Sequence, residues 1–75
     1  MSDVRVRLVR SFQAVFPDID ASAIPGMAVA NTAAWDSINS INLLQVIEEE
    51  FGVTIDFEEL EHLDSFAALE RRLDA

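Results

Sequence analysis

A chain of 75 residues, 51% hydrophobic and carrying a net charge of −9, has room for one small core, so residues 1–75 read as a single domain. It has no cysteine, which excludes disulfides and thiolate metal sites, and no run of about 18 apolar residues that would span a membrane. From Ser11 to Glu70 there are twelve carboxylates and neither Lys nor Arg, a surface that repels nucleic-acid phosphates and favours encounter with basic proteins.

The first element reads as a helix capped by Ser2 or Asp3 and running to about Phe16. Val4, Leu8, Phe12 and Val15 face inward, with Val9 and Phe16 beside them. Arg5, Arg7 and Arg10 fall on the outer side, in an amphipathic interleaving unlike a basic-then-apolar leader, so a cytoplasmic protein is expected. Pro17 ends the helix. Residues 17–35 form a long irregular connection with a turn signal at Pro25-Gly26, and Ile19, Ile24, Met27 and Val29 are expected to pin it across a bundle. Asp18-Ile19-Asp20 opens like a calcium loop. Ala23 stands where that loop needs glycine and Val29 where it needs its closing glutamate, so no metal site is expected.

The central element is a helix opening at Asp36-Ser37 and closing at Gly52. Asp36 suits the N-cap, where its carboxylate takes a backbone N–H and faces the positive helix end. Gly52 suits the left-handed position that ends many helices. Ile38, Ile41, Leu44, Ile47 and Phe51 recur at steps of three or four on one face, which Leu43 and Val46 widen. Beyond it, Val53-Thr54-Ile55 is too short for a strand. Asp56 and Glu59 make an acidic variant of a capping box, opening a short helix with Phe57, Leu60 and Leu63 inward. Asp64 or Ser65 caps the last helix, where Phe66, Leu69 and Leu73 share a face and Arg71 and Arg72 suit the final turn. The expected fold is all-α, a small four-helix bundle of three principal helices and one short one.

Ser37 sits at the first helical position, where an outward hydroxyl lies beside unpaired N–H groups that favour an anion. A small polar residue there is ordinarily just a helix-start residue, but Asp36 already supplies the cap, and Ser40, one turn later, has no preceding acid. Asp36-Ser37-Ile38, followed by an amphipathic helix ending in Glu48-Glu49-Glu50-Phe51-Gly52, resembles the acyl carrier proteins, whose Asp-Ser-Leu motif carries 4′-phosphopantetheine on the serine. The resemblance implies a non-catalytic carrier with the group on Ser37, transferred from coenzyme A by a separate phosphopantetheinyl transferase, and acyl intermediates borne as thioesters in fatty-acid, polyketide or related biosynthesis. It also implies partner contacts at Ile38, Ile41, Glu48 and Glu49, and a sheltering cavity at Leu44, Phe57, Leu60 and Leu63, with Ile41 at its edge. Ordinary core and solvated charge remain the alternatives for these positions.

The match departs from the fatty-acid carriers at two places. Ala33-Ala34-Trp35 replaces a glycine-containing lead-in, and Asn39 and Asn42 replace carboxylates, so a specialised stand-alone carrier, expected to be monomeric, fits better. The Gly-Gly-His-Ser of peptidyl carriers is absent, although an aminoacyl cargo stays open. The other reading is a non-carrying interaction module that offers an acidic helix to a basic groove. Acid–base catalysis lacks a candidate, because Glu48-Glu49-Glu50 fall on an exposed face and the single histidine, His62, reads as a solvent-facing or capping residue.

Overall fold

Leu8, Phe12 and Phe16 recur every four residues and bury one stripe of the first helix, and the rest of the chain wraps that stripe. The computed structural model describes residues 3–74. Four α-helices span Asp3–Val15 (α1), Ser37–Phe51 (α2), Phe57–Leu60 (α3) and Phe66–Asp74 (α4). No strand occurs among the described residues, only an isolated antiparallel bridge between Ala28 and Ser65. The all-α bundle expected from periodicity is the fold. Helix α1 stops at Val15, one residue short of the expected end. Phe16 is buried while Val15 is only half-buried, which corrects the inner face. Ser2, offered as a cap, lies outside the described residues.

An aromatic cluster forms the centre. The Phe12 ring meets Trp35 edge-on at 5.3 Å and Phe66 at 5.2 Å, and Phe16 lies 6.1 Å from it. Such contacts contribute about 0.5–1.5 kcal/mol each beyond their buried area. Trp35, two residues before α2, is thus tied to α1, and reaches α4 only through Phe12, whose ring also meets Phe66.

The connection from 17 to 35 is more regular than expected. It contains 3-10 helices at Ala21–Gly26 and Val29–Asn31. Asp20 caps the first by accepting from the Ser22 N–H. Asn31 locks the second, its Nδ2 donating to the Gly26 carbonyl at 3.1 Å while its Oδ1 accepts from the Ala28 N–H at 2.9 Å. The Val29 N–H donates to the Asp64 carbonyl and the Phe66 N–H to the Met27 carbonyl, both at 2.9 Å, which fastens the loop to the start of α4. Ile24 and Met27 are buried, as the pinning expectation requires, but Val29 is exposed.

Arg5 and Arg10 are exposed and Arg7 is half-buried, and two of the three, Arg5 and Arg7, bridge from α1 to other helices. Arg5 makes a two-pronged pair with Glu70 of α4 at 2.7 and 2.8 Å. Its hydrogen bonds hold the Glu70 carboxyl below the ordinary glutamate range, and Glu70 raises Arg5 in return. Arg7 lies over the Phe51 ring at 4.6 Å and donates to both the carboxylate and the backbone carbonyl of Glu50. Arg72 pairs with Glu59. That pair takes the carboxylate away from the expected capping box, and Asp56 makes no side-chain cap to α3. At α4 the cap is Ser65, whose Oγ accepts from the Ala68 N–H at 3.1 Å.

Candidate functional site

Both ends of α2 form as their chemistry dictates. Asp36 Oδ1 accepts from the Asn39 N–H at 2.9 Å, and Gly52 adopts φ 64° with its N–H donating to the Glu48 carbonyl. Asn39 adds a clamp that helix periodicity gives no hint of: its Nδ2 donates to the Ala34 carbonyl at 2.7 Å, closing the loop onto the first turn. A short polar side chain just inside a helix start was the available signal.

Ser37 is the first residue of α2 and is exposed. Its hydroxyl makes no hydrogen bond among the described residues, and the N–H groups of Ser37 and Ile38 point out of the helix end without an acceptor. With the Asp36 carboxylate committed to the cap, an exposed nucleophilic oxygen stands beside the positive end of a 15-residue helix.

A groove of about 470 Å³ opens beside this hydroxyl. Val29, Ile41, Phe57, Leu60 and Leu63 give it apolar walls. Ser37, Ser40, Glu61 and Asp64 supply its polar margin. Three of the four expected cavity residues, Phe57, Leu60 and Leu63, are therefore brought together with Ser37. Leu44 is not: it is buried beneath the groove, beside a void of about 10 Å³ that also touches Trp35 and Ile47, no larger than one water molecule needs. Val29, Glu61 and Asp64 were not foreseen as groove residues, because the loop and the α3–α4 turn reach the site only through the tertiary fold.

Periodicity misplaced three side chains. Ile38 is 71% exposed, Ile41 41% and Phe57 69%, whereas Leu43, Leu44 and Ile47 carry the buried face of α2. Ile38 and Ile41 are thus on the surface, compatible with the partner contacts expected of them and not with the core face.

The acidic run at the other end of α2 is largely engaged within the fold. Glu48 is half-buried and its Oε2 accepts from the Ile55 N–H at 2.9 Å; Glu50 pairs with Arg7. Only Glu49 of the three is exposed and without an ion pair among the described residues. His62 is exposed in the turn after α3 and does not line the groove. No cluster of three or more potential metal ligands occurs among the described residues, and no helix there is long and apolar enough to cross a membrane.

A covalent phosphodiester fits this arrangement: an accessible hydroxyl, two open amides at a helix N-terminus for its charge, and an adjoining apolar groove. A comparison with curated proteins gives no match. The family model described as the phosphopantetheine attachment site matches residues 35–73, which begin at Trp35 and take in α2, α3 and most of α4. That span is just over half of the 75-residue chain, and the chain belongs to this family, the carrier proteins that hold 4′-phosphopantetheine covalently.

Proposed function

We propose that the chain is an acyl carrier whose prosthetic group is attached through Ser37 Oγ. The observation that supports this reading is the exposed, unbonded hydroxyl at the first position of α2, with Asp36 already spent as its cap and an apolar groove alongside. Asp36 keeps the helix end in place. The open amides of Ser37 and Ile38 face the phosphodiester charge.

His62, the single histidine, does not line the groove, so this reading assigns activation of the hydroxyl to a separate enzyme. A separate phosphopantetheinyl transferase with Mg²⁺ takes the Ser37 proton; the new bond joins Oγ to the phosphorus of coenzyme A, and adenosine 3′,5′-bisphosphate leaves. When attached, the group supplies a terminal thiol that bears acyl cargo as a thioester. The chain's own residues anchor, orient and present it, and residues 1–75 act as one non-catalytic carrier domain. The walls formed by Ile41, Phe57, Leu60 and Leu63 suit an apolar cargo segment resting at the surface.

A specialised biosynthetic pathway, of fatty-acid, polyketide or related type, fits this chain better than general fatty-acid synthesis. Ala33-Ala34-Trp35 replaces a glycine-containing lead-in, and Asn39 and Asn42 hold positions where carboxylates would meet a basic enzyme face. Asn39 instead closes the loop.

The test is intact-mass spectrometry after incubation with coenzyme A, Mg²⁺ and a broad-specificity transferase, beside Ser37→Ala. The expected result is a gain of one phosphopantetheine that the variant lacks. A folded wild-type chain that gains nothing from several transferases would overturn the proposal, and a loaded Ser37→Ala chain would move the attachment elsewhere.

A further inference from the structure

The groove beside Ser37 and the void beneath it are lined in common by Ser40, Leu60 and Leu63, so these three side chains are the partition between the surface and the interior. Behind the partition the bundle is nearly solid. The void measures about 10 Å³, and Trp35, Leu43, Leu44, Ile47 and Leu69 close it on the inner side. One water needs about 10–15 Å³, whereas an apolar guest the size of benzene needs a cavity of about 150 Å³. An acyl chain that passes the partition therefore has to displace a wall.

Trp35 is the largest of those walls, and it is fixed in place. Its buried ring meets Phe12 edge-on at 5.3 Å and lies 6.2 Å from Phe16. The peptide unit that joins Ala34 to Trp35 is held at both of its polar atoms. Its N–H donates to the Thr32 carbonyl at 3.0 Å, and its carbonyl accepts from Asn39 Nδ2 at 2.7 Å. Two departures from the fatty-acid carrier pattern, the Ala33-Ala34-Trp35 lead-in and Asn39, thus meet in one peptide. A close-packed interior takes in added volume only with shifts of side chains and backbone, and here both are tied.

We infer that Trp35 is a plug that shuts the bundle interior to cargo, so that the acyl group stays at the surface whatever its length. The inference rests on the carrier reading proposed above and narrows its cargo. The class that suits such a chain is an acyl group short enough, or polar enough along its length, to remain in contact with water. The mixed lining of the groove, apolar at Ile41 and Phe57 and polar at Ser40, Glu61 and Asp64, matches that class. A thioester presented in this way reaches a partner enzyme with no extraction from the core, and it is equally open to small nucleophiles in solution.

The experiment loads the chain from acetyl-, hexanoyl- and dodecanoyl-coenzyme A with the transferase and Mg²⁺. Two quantities are read on each product: the melting temperature, and the rate at which hydroxylamine takes the acyl group as hydroxamate and frees the thiol, relative to the same acyl-coenzyme A. In the wild type the three melting temperatures are expected to agree within about two degrees and the relative rates to be equal. Burial of the longer chains would instead raise the melting temperature by roughly ten degrees or more. A chain held nine-tenths of the time inside would react roughly tenfold more slowly. Either result would overturn the inference and leave the carrier reading standing. Trp35→Ala is expected to melt lower yet gain a dependence on chain length in both readings, and Trp35→Leu to gain a smaller one should the alanine variant not fold. Leu8→Ala, at a buried position away from the void, is expected to melt lower and stay indifferent to chain length. Folded Trp35 variants that respond no more than the wild type, or a Leu8→Ala chain that responds as they do, would overturn the role of Trp35. No loading of the wild type would remove the carrier reading and this inference with it.

Discussion

The two ends of α2 each combine apolar and polar residues and do opposite things. At its start, Ile38 and Ile41 stand in solvent and the Ser37 hydroxyl makes no hydrogen bond among the described residues. At its end, Phe51 lies under Arg7, Glu50 pairs with the same arginine, Glu48 holds the Ile55 N–H, and Gly52 turns the chain away. One end is fastened by cross-helix contacts and the other has its apolar and polar groups left to be met by something else. Where a stable fold leaves such groups unused, function is the economical explanation.

Substitutions can break this contrast. The largest effect is expected from Ser37→Ala, which should abolish phosphopantetheine loading by intact mass while changing stability by under about 1 kcal/mol. Next in size is a pair of identical substitutions on opposite faces. Ile47→Ala should cost about 2–5 kcal/mol and lower the melting temperature by roughly ten degrees or more. Ile38→Ala should leave stability within about 0.5 kcal/mol. Equal melting shifts for the two would erase the distinction between a core face and an open one.

Smaller effects sharpen the picture. Asp36→Ala removes the cap from the start, and Glu48→Ala removes the acceptor for Ile55 at the end; each should cost about 1 kcal/mol in urea titrations. They should differ in loading, with Asp36→Ala slowed and Glu48→Ala loading like the wild type. The smallest effect concerns Arg5 and Glu70. The hydrogen bonds from Arg5 depress the Glu70 carboxyl, so the pair's contribution is fully present above the ordinary glutamate value of 4.5 and is lost as pH falls through the lowered folded value. The pair is at the surface, so Glu70→Gln should produce a slight melting difference near neutral pH that disappears in acid. A difference that grew on acidification would contradict this sign.

The parts of the fold legible in the sequence are those where a single residue type does a backbone job. Asp36 and Gly52 marked both ends of α2 because a capping carboxylate and a left-handed turn have few alternatives. Ser37 was legible for the same reason, as the residue next to that cap. Periodicity locates apolar faces but not what covers them, so Ile38 and Ile41 share a face with the buried Ile47 and yet stand in solvent, and Phe57, expected inward, is exposed. The pairs Arg5–Glu70, Arg7–Glu50 and Arg72–Glu59 join elements distant in sequence, and nothing local announces them. The groove was half legible: Phe57, Leu60 and Leu63 come from one segment, whereas Val29 arrives because backbone bonds tie the loop to the start of α4.

Trp35 is the only tryptophan, buried against the Phe12 and Phe16 rings two residues before Ser37. Its fluorescence should therefore be that of an indole shielded from water, shifting to the red only when the aromatic cluster opens. An optical signal for integrity of the scaffold is thus built in, insensitive to chemistry at the exposed hydroxyl nearby. A modified or cargo-bearing chain with unaltered emission would show that the scaffold registers nothing of what it holds.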